Sequence, residues 1–302
     1  MSPLHTAIQQ IDLVVLGKTR QIRLAMACLI AGGHLLIEDL PGVGKTTLAH
    51  VLAKTLGLQF QRIQFTSDLL PADIIGVSIY ERSAEMFRFH PGPIFAQLIL
   101  ADEINRATPK AQSALLEAME ERQVTQDGTT HTLPDPFFVI ATQNPQQQIG
   151  TFPLPESQLD RFLMRLALGY PDRTAERALL AGDDRRQMIS ELTPRMSPAD
   201  LLQLQQENRA VRISGALLDY VQALLAHTRQ SPRFVNGLSP RAGLALLSAA
   251  RAWALLDGRQ AVLPEDVQAV MPSVAGHRLI TPAGQMSSED DVAALLREVA
   301  IP

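Results

Sequence analysis

Leu35-Leu36-Ile37-Glu38-Asp39-Leu40-Pro41-Gly42-Val43-Gly44-Lys45-Thr46 joins a short apolar run to a lysine set behind two glycines, and Thr46 to Leu56 continues with helical spacing. The apolar run predicts a buried strand, so the glycines fall in a strand–loop–helix context. There Gly42 and Gly44 let the backbone turn its N–H groups around a phosphate chain, and the helix N-terminus adds its positive dipole. Lys45 is placed to reach the β and γ phosphates, and the Thr46 hydroxyl to ligate magnesium. The pattern departs in one place, because its usual first glycine is Asp39. The competing reading is a turn with a chance lysine.

Two further strand tips extend this site. Leu98-Ile99-Leu100-Ala101 ends in Asp102-Glu103. A carboxylate beside the loop can hold magnesium, directly or through water, and the next can orient and deprotonate the attacking water. Asp102 is therefore assigned to the metal and Glu103 to the water. Alone, an acidic pair caps a helix as often; the lysine loop upstream gives it this meaning. Phe137-Phe138-Val139-Ile140-Ala141 leads to Thr142-Gln143-Asn144-Pro145. Asn144 can position water near the γ-phosphate, or serve only as a turn residue before Pro145.

The whole chain sets the frame for that site. At roughly 150 residues per domain, 302 residues suggest two domains. A hydrophobic content of 46%, a charged content of 19% and a net charge of −4 describe an ordinary globular protein, without the basic footprint of a nucleic-acid binder. Cys28 is the single cysteine, which excludes an internal disulfide and a cysteine-rich zinc site. The longest apolar run, Leu24 to Ile30, is too short to span a membrane. Met1 to His5 opens no signal-peptide pattern, so the expected location is the cytoplasm.

Strands at Leu35–Ile37, Arg62–Phe65, Leu98–Ala101 and Phe137–Ala141, alternating with helical stretches, imply a parallel sheet covered on both faces. The strand signal fades from Pro171. Ser197-Pro198-Ala199-Asp200 opens a helix with a capping box, and Ile213–Thr228, Pro240–Leu256 and Pro264–Val270 follow with helical spacing. The expected organisation is an α/β core over residues 1–170 and a smaller all-helical domain over 171–302.

These segments resemble the MoxR family of AAA+ ATPases. The matching stretches are Gly33 to Thr46, Ala101-Asp102-Glu103-Ile104-Asn105-Arg106-Ala107, Ala141 to Pro145, Leu154 to Phe162 and Gly237-Leu238-Ser239-Pro240-Arg241-Ala242. The resemblance implies an α/β P-loop AAA+ domain followed by a helical lid, with ATP and Mg2+ bound between subunits of a ring, a hexamer. It makes Asn144 the first sensor, Arg161 the arginine finger toward the neighbour's γ-phosphate, and Arg241 the second sensor. It assigns nucleotide contacts to Gly17, Pro41, Gly42, Val43, Gly44, Lys45, Thr46 and Thr47. A guanidinium is always charged and its fork suits phosphate oxygens. The plainer alternatives are a surface pair of Arg161 with Asp160 or Glu156, and helix solubility for Arg241.

Two inserts mark a subgroup. Ile75–Tyr80 with Met86–Phe89 about a polar turn at Arg82–Glu85, and Arg122–Gln126 with Thr129–Leu133 about Asp127-Gly128, read as hairpins, the second with a type I′ turn. By resemblance they face a ring pore and touch substrate; otherwise they are surface hairpins. Leu13 to Lys18 matches the family's adenine-side loop, or is an ordinary helix end. His34 and His277 are expected to be structural, and Trp253 to lie in a helical core. The implied activity is ATP-driven remodelling of a protein partner, one with a von Willebrand A domain. A nucleic-acid translocase and a non-hydrolysing scaffold are the alternatives; the acidic charge opposes the first, and intact Lys45, Asp102, Glu103 and Arg161 the second.

Overall fold

In the computed structural model, which describes residues 3–83, 85–145, 150–182 and 185–301, two helices come first: α1 (Pro3–Val14) and α2 (Thr19–Ile30). Leu24 to Ile30 is buried all round within α2, which is what makes it read as one apolar run. Then follow β1 (Leu35–Glu38), α3 (Lys45–Thr55), β2 (Phe60–Gln64), α4 (Pro71–Ile75), β3 (Gly76–Glu81), β4 (Met86–Pro91), β5 (Leu98–Asp102), α5 (Pro109–Glu121), β6 (Gln123–Gln126), β7 (Thr129–Thr132), β8 (Phe138–Gln143), α6 (Glu156–Leu159) and β9 (Met164–Leu166). Helices complete the chain: α7 (Arg173–Ala181), α8 (Arg185–Glu191), α9 (Pro198–Ala210), α10 (Gly215–Gln230), α11 (Pro240–Leu256), α12 (Pro264–Ala275) and α13 (Glu289–Glu298).

Strands β2-β5-β8-β1-β9 form one parallel sheet in that order. Side chains alternate across it, and both faces are apolar. Leu35, Ile37, Leu98, Leu100, Phe138 and Ile140 join a core with α1, α2, α3 and the later helices α9 to α13. Leu36, Ile99, Ala101, Val139 and Ala141 join a second core with α4 and α5. This two-sided burial explains why β1, β5 and β8 read as continuous apolar runs, while the edge strand β2 is mostly exposed and spans Phe60–Gln64 rather than the expected Arg62–Phe65. The edge strand β9 was not expected from the sequence. It has three residues, with Met164 and Leu166 buried on either side of Arg165, too short a run to signal a strand.

Both inserts are antiparallel hairpins, β3–β4 and β6–β7. Asp127 and Gly128 have φ of 51° and 76°, the two positive values a type I′ turn requires. Ala84, in the turn of the first hairpin, lies outside the described residues. The capping box of α9 is formed, with Ser197 Oγ accepting from the Asp200 N–H at 3.2 Å and the Asp200 carboxylate accepting from the Ser197 N–H at 2.7 Å. Helix α12 runs past its expected end at Val270 and carries Pro272 inside it. Trp253 is only half-buried, at the rim of the α11 core, with the Arg23 guanidinium 4.7 Å over its ring, where a cation is attracted to the ring face. Among the described residues, no helix is long and apolar enough to cross a membrane.

Two histidines tie the layers together, as expected. The Val139 N–H donates to His34 Nδ1 at 3.0 Å, and His34 Nε2 lies 3.3 Å from the Met119 carbonyl. Burial, then the charge of Arg122, holds the His34 pKa down to about 3. His277, 3.0 Å from the Phe162 carbonyl, is pushed well below the ordinary value by burial and then by Arg278. The unfolded chain takes up these protons near pH ~6.5 and the folded chain does not, so their contribution is full above that pH and declines below it, for His34 down to about 3. Urea titrations below pH ~6 should therefore show stability falling by up to about 1.4 kcal/mol per pH unit for each histidine. His34→Gln should flatten that slope; an unaltered slope would show that His34 is not the group responsible.

Candidate functional site

The parallel strands β1, β5 and β8 lie side by side and end at the same edge of the sheet. From β1 the chain crosses through α3 to β2 at one edge, while β9 lies on the other side of β1. Strand order thus reverses at β1, which opens a crevice beyond its carboxyl end. A cavity of about 310 Å³ sits there, lined by Pro41, Gly42, Gly44, Lys45, Thr46, Thr47, Asp102, Glu103 and Asn144. All three expected strand tips therefore meet at one place. Gly17 and Val43 are not part of this lining; Val43 packs on the main core.

Gly42 and Gly44 have φ of 83° and 98°, and a Cβ on either would meet nothing within 4 Å. The loop needs glycine for its backbone conformation, and the space beside it forms an open cradle. Lys45 Nζ donates to the Asp39 carbonyl at 2.6 Å and lies 3.4 Å from the Gln143 carbonyl. Burial lowers its pKa, opposed by the charges of Asp39, Asp102 and Glu103. Asp39 has a definite role in place of the usual glycine. Its carboxylate accepts from the Leu40 N–H at 2.8 Å and from the Gly169 N–H at 2.6 Å, which ties the phosphate loop to the segment after β9. Lys18 Nζ donates to the Tyr170 carbonyl in the same segment at 2.8 Å. Gly17, at φ 69°, lies so close to α7 that a Cβ would stand 2.8 Å from that of Ala175. The Leu13–Lys18 loop therefore packs on the start of the helical part of the chain.

The two carboxylates after β5 are held differently. Asp102 is buried, with Oδ1 accepting from the Thr142 hydroxyl at 2.6 Å and Oδ2 taking Arg62 Nη2 at 2.5 Å and Nε at 3.1 Å. Glu103 follows in the left-handed region at φ 56°, an uncommon conformation for a residue with a side chain. Its N–H donates to Thr142 Oγ1 at 2.9 Å, and its Oε2 accepts from Gln64 at 3.1 Å and Arg106 at 2.8 Å. Asn144 is buried on the same cavity. The sequence did not reveal Arg62, Gln64 and Arg106, because strand register and a 3-10 turn bring them to the site.

Thr46 and Asp102 both line this cavity and bring hard oxygen donors to it, which fits magnesium, a cation that keeps waters and phosphate oxygens for its remaining positions. Among the described residues, no cluster of three or more His, Cys, Asp or Glu side chains is placed to hold a metal by itself.

Arg161 and Arg241 lie elsewhere. They line a cleft of about 410 Å³ together with Gly32, Gly33, His34, Glu120, Asp160 and Arg278. His34 immediately precedes β1, so this cleft lies at the amino-terminal edge of the sheet, on the order of 15 Å along the strand from the phosphate loop. The expected local partners of Arg161 are not the ones observed. Its Nε pairs with Glu120 at 2.9 Å, and Asp160 pairs with Arg278 at 2.6 Å and Arg241 at 3.6 Å. Arg241 also reaches Glu120 at 3.2 Å. Glu120, absent from the sequence reading, sits in the last turn of α5, where a carboxylate opposes the helix dipole. That misplacement is the one signal the sequence offered for it.

Comparison with known proteins agrees with this geometry. Residues 34–164 match the ATPase family associated with various cellular activities (AAA), and residues 226–299 match the AAA lid domain. Chaperone MoxR1 of Mycobacterium tuberculosis is 40% identical over 99% of this chain and 82% of its own length. Protein MoxR of Paracoccus denitrificans is 34% identical over 94% of this chain and 90% of its own. A crystal structure from Cytophaga hutchinsonii superposes with a TM-score of 0.89 at 38% identity, covering 99% of this chain and 95% of that one. With a glycine-lysine loop at the switch point of a parallel sheet, an AAA lid domain after it in the chain and relatives matched over 82% and 90% of their own length, the chain belongs to the MoxR family of AAA+ ATPases.

Proposed function

We propose that this chain hydrolyses ATP at the junctions between subunits of a ring, and that turnover remodels or matures a protein partner. The observation that carries this reading is the separation of two half-sites on one sheet. The phosphate loop, Asp102, Glu103 and Asn144 lie at its carboxyl edge, while Arg161 and Arg241 lie at its amino edge. Both arginines line a cleft apart from their own chain's phosphate loop, and a neighbour in a closed ring would bring one edge against the other. A heterologous contact repeated around an axis closes into such a ring.

In this reading Lys45 and the loop N–H groups bind the phosphates, Thr46 and Asp102 hold magnesium, and Glu103 takes the proton of the attacking water. Asn144 positions that water, and the neighbour's arginines meet charge developing on the γ-phosphoryl oxygens. Bound magnesium supplies neutralisation of phosphate charge. Thr142 supports the division between the carboxylates, because it fixes Asp102 by its hydroxyl and accepts from the Glu103 backbone with the same atom.

The exposed apolar side chains Ile79, Tyr80, Met86 and Phe87 on β3–β4 support a polypeptide as the substrate rather than a nucleic acid. The family resemblance supplies a von Willebrand A domain as the partner's fold. The reading is tested by turnover against protein concentration, with mass followed by light scattering. Specific activity should rise as rings form in ATP, because bound nucleotide adds contacts between neighbours. Concentration-independent turnover by a monomer would overturn it.

A further inference from the structure

Glu120 joins two parts of the protein that the sequence keeps far apart. Its Oε2 pairs with Arg161, just before β9, and its Oε1 with Arg241, in the first turn of the lid helix α11. The other arginines of this cleft are committed elsewhere. Arg122 donates to the Phe137 and Gly32 carbonyls at 2.9 Å each, and Arg278 is buried on Asp160 and the carbonyls of Phe162 and Leu163. Arg161 and Arg241 keep 27% and 55% of their side chains exposed, so both remain accessible from solvent, Arg241 the more so. Arg161 meets Glu120 side-on through Nε, while its terminal nitrogens form the far end of the side chain. A carboxylate in the last turn of a helix is disfavoured by the dipole, and the two guanidinium groups offset that cost.

We propose that Glu120 is a positioning residue for hydrolysis at the neighbouring subunit: its single carboxylate yokes the core arginine to the lid arginine, so that both reach the neighbour's γ-phosphate as one rigid pair. The proposal rests on the intersubunit reading above. Arg161, met by Glu120 at its inner nitrogen, keeps its terminal nitrogens for phosphate oxygens, whereas Arg241 gives Glu120 one terminal nitrogen, Nη2, and keeps the other. The yoke also makes the arginine pair depend on how the lid sits on the core, because Arg241 moves with α11.

The test is Glu120→Gln, which keeps size and removes charge. In steady-state assays of assembled protein, kcat should fall about 10- to 100-fold, the scale expected from loosening a positioned group, with KM within about two-fold. In a background lacking both arginines, Arg161→Ala with Arg241→Ala, the same change should cost little more, because a positioning residue acts through the groups it holds. Mixing Glu120→Gln subunits with inactive Lys45→Ala subunits should restore turnover, since the latter present an intact Glu120 to sound phosphate sites. If Arg161→Ala lowers turnover while Glu120→Gln leaves it unchanged or raises it, the yoke is wrong and the intersubunit reading stands. Equal, additive losses in both backgrounds would likewise overturn the yoke. If Arg161→Ala turns over at the parental rate, both fall.

Discussion

Arg161→Ala is expected to lower kcat by about three to five orders of magnitude while leaving nucleotide affinity within a few-fold, the effect of removing a finger supplied in trans. The structure sharpens what the alternative predicts. The Arg161–Glu120 pair is part-exposed, at 27% and 36%, and a surface pair of that kind contributes only about 0 to 1 kcal/mol to stability and nothing directly to rate. The two explanations therefore differ by orders of magnitude in one assay. Mixing separates them further. Arg161→Ala subunits keep a sound phosphate site and Lys45→Ala subunits keep a sound finger face, because the two lie at opposite edges of the sheet. Mixed rings should regain activity at junctions where sound faces meet. Mixtures that assemble yet stay as inactive as either parent would falsify the trans assignment.

How far the sequence could be read follows from how local each feature is. The strand–loop–helix segment was legible because strand, glycines, lysine and helix are contiguous, and the positive φ of Gly42 and Gly44 requires glycine there. Strands β1, β5 and β8 were legible because both their faces are buried and their runs are unbroken, whereas the mostly exposed edge strand β2 was placed two residues late. Strand β9 was not, since its three residues depend on pairing with β1. The partner of Arg161 was misread for a related reason. Asp160 is adjacent in sequence, but Arg278 claims it from the turn after α12, and Glu120 arrives from the end of α5. The departure at Asp39 could be seen but not explained from the loop alone, because its second oxygen accepts from Gly169, beyond the last strand. Each miss is a long-range contact of a short polar segment, which leaves no period in the sequence.

The two carboxylates after β5 make the sharpest chemical distinction in the site, and Glu103→Gln tests it. Asp102 is fixed on both oxygens, by Thr142 on one and Arg62 on the other, and lies buried beside Lys45. A group so held suits a constant metal ligand and is poorly placed to follow a moving water. Glu103 is more exposed and held only through side chains, Gln64 and Arg106, that can let go without breaking the sheet. Its left-handed backbone turns it away from the strand direction that Asp102 follows. Glutamine keeps the size of Glu103 and can still accept from Gln64 and Arg106, but it cannot serve as the base. Hydrolysis should fall by about 10² to 10⁴, the usual worth of a positioned general base. ATP binding, read by equilibrium titration with a fluorescent analogue, should be retained, because Lys45 and the loop N–H groups are untouched. Lys45→Ala should do the opposite and weaken binding itself. Parental turnover in Glu103→Gln would move the base to another group and leave Glu103 as the cap of the turn it begins.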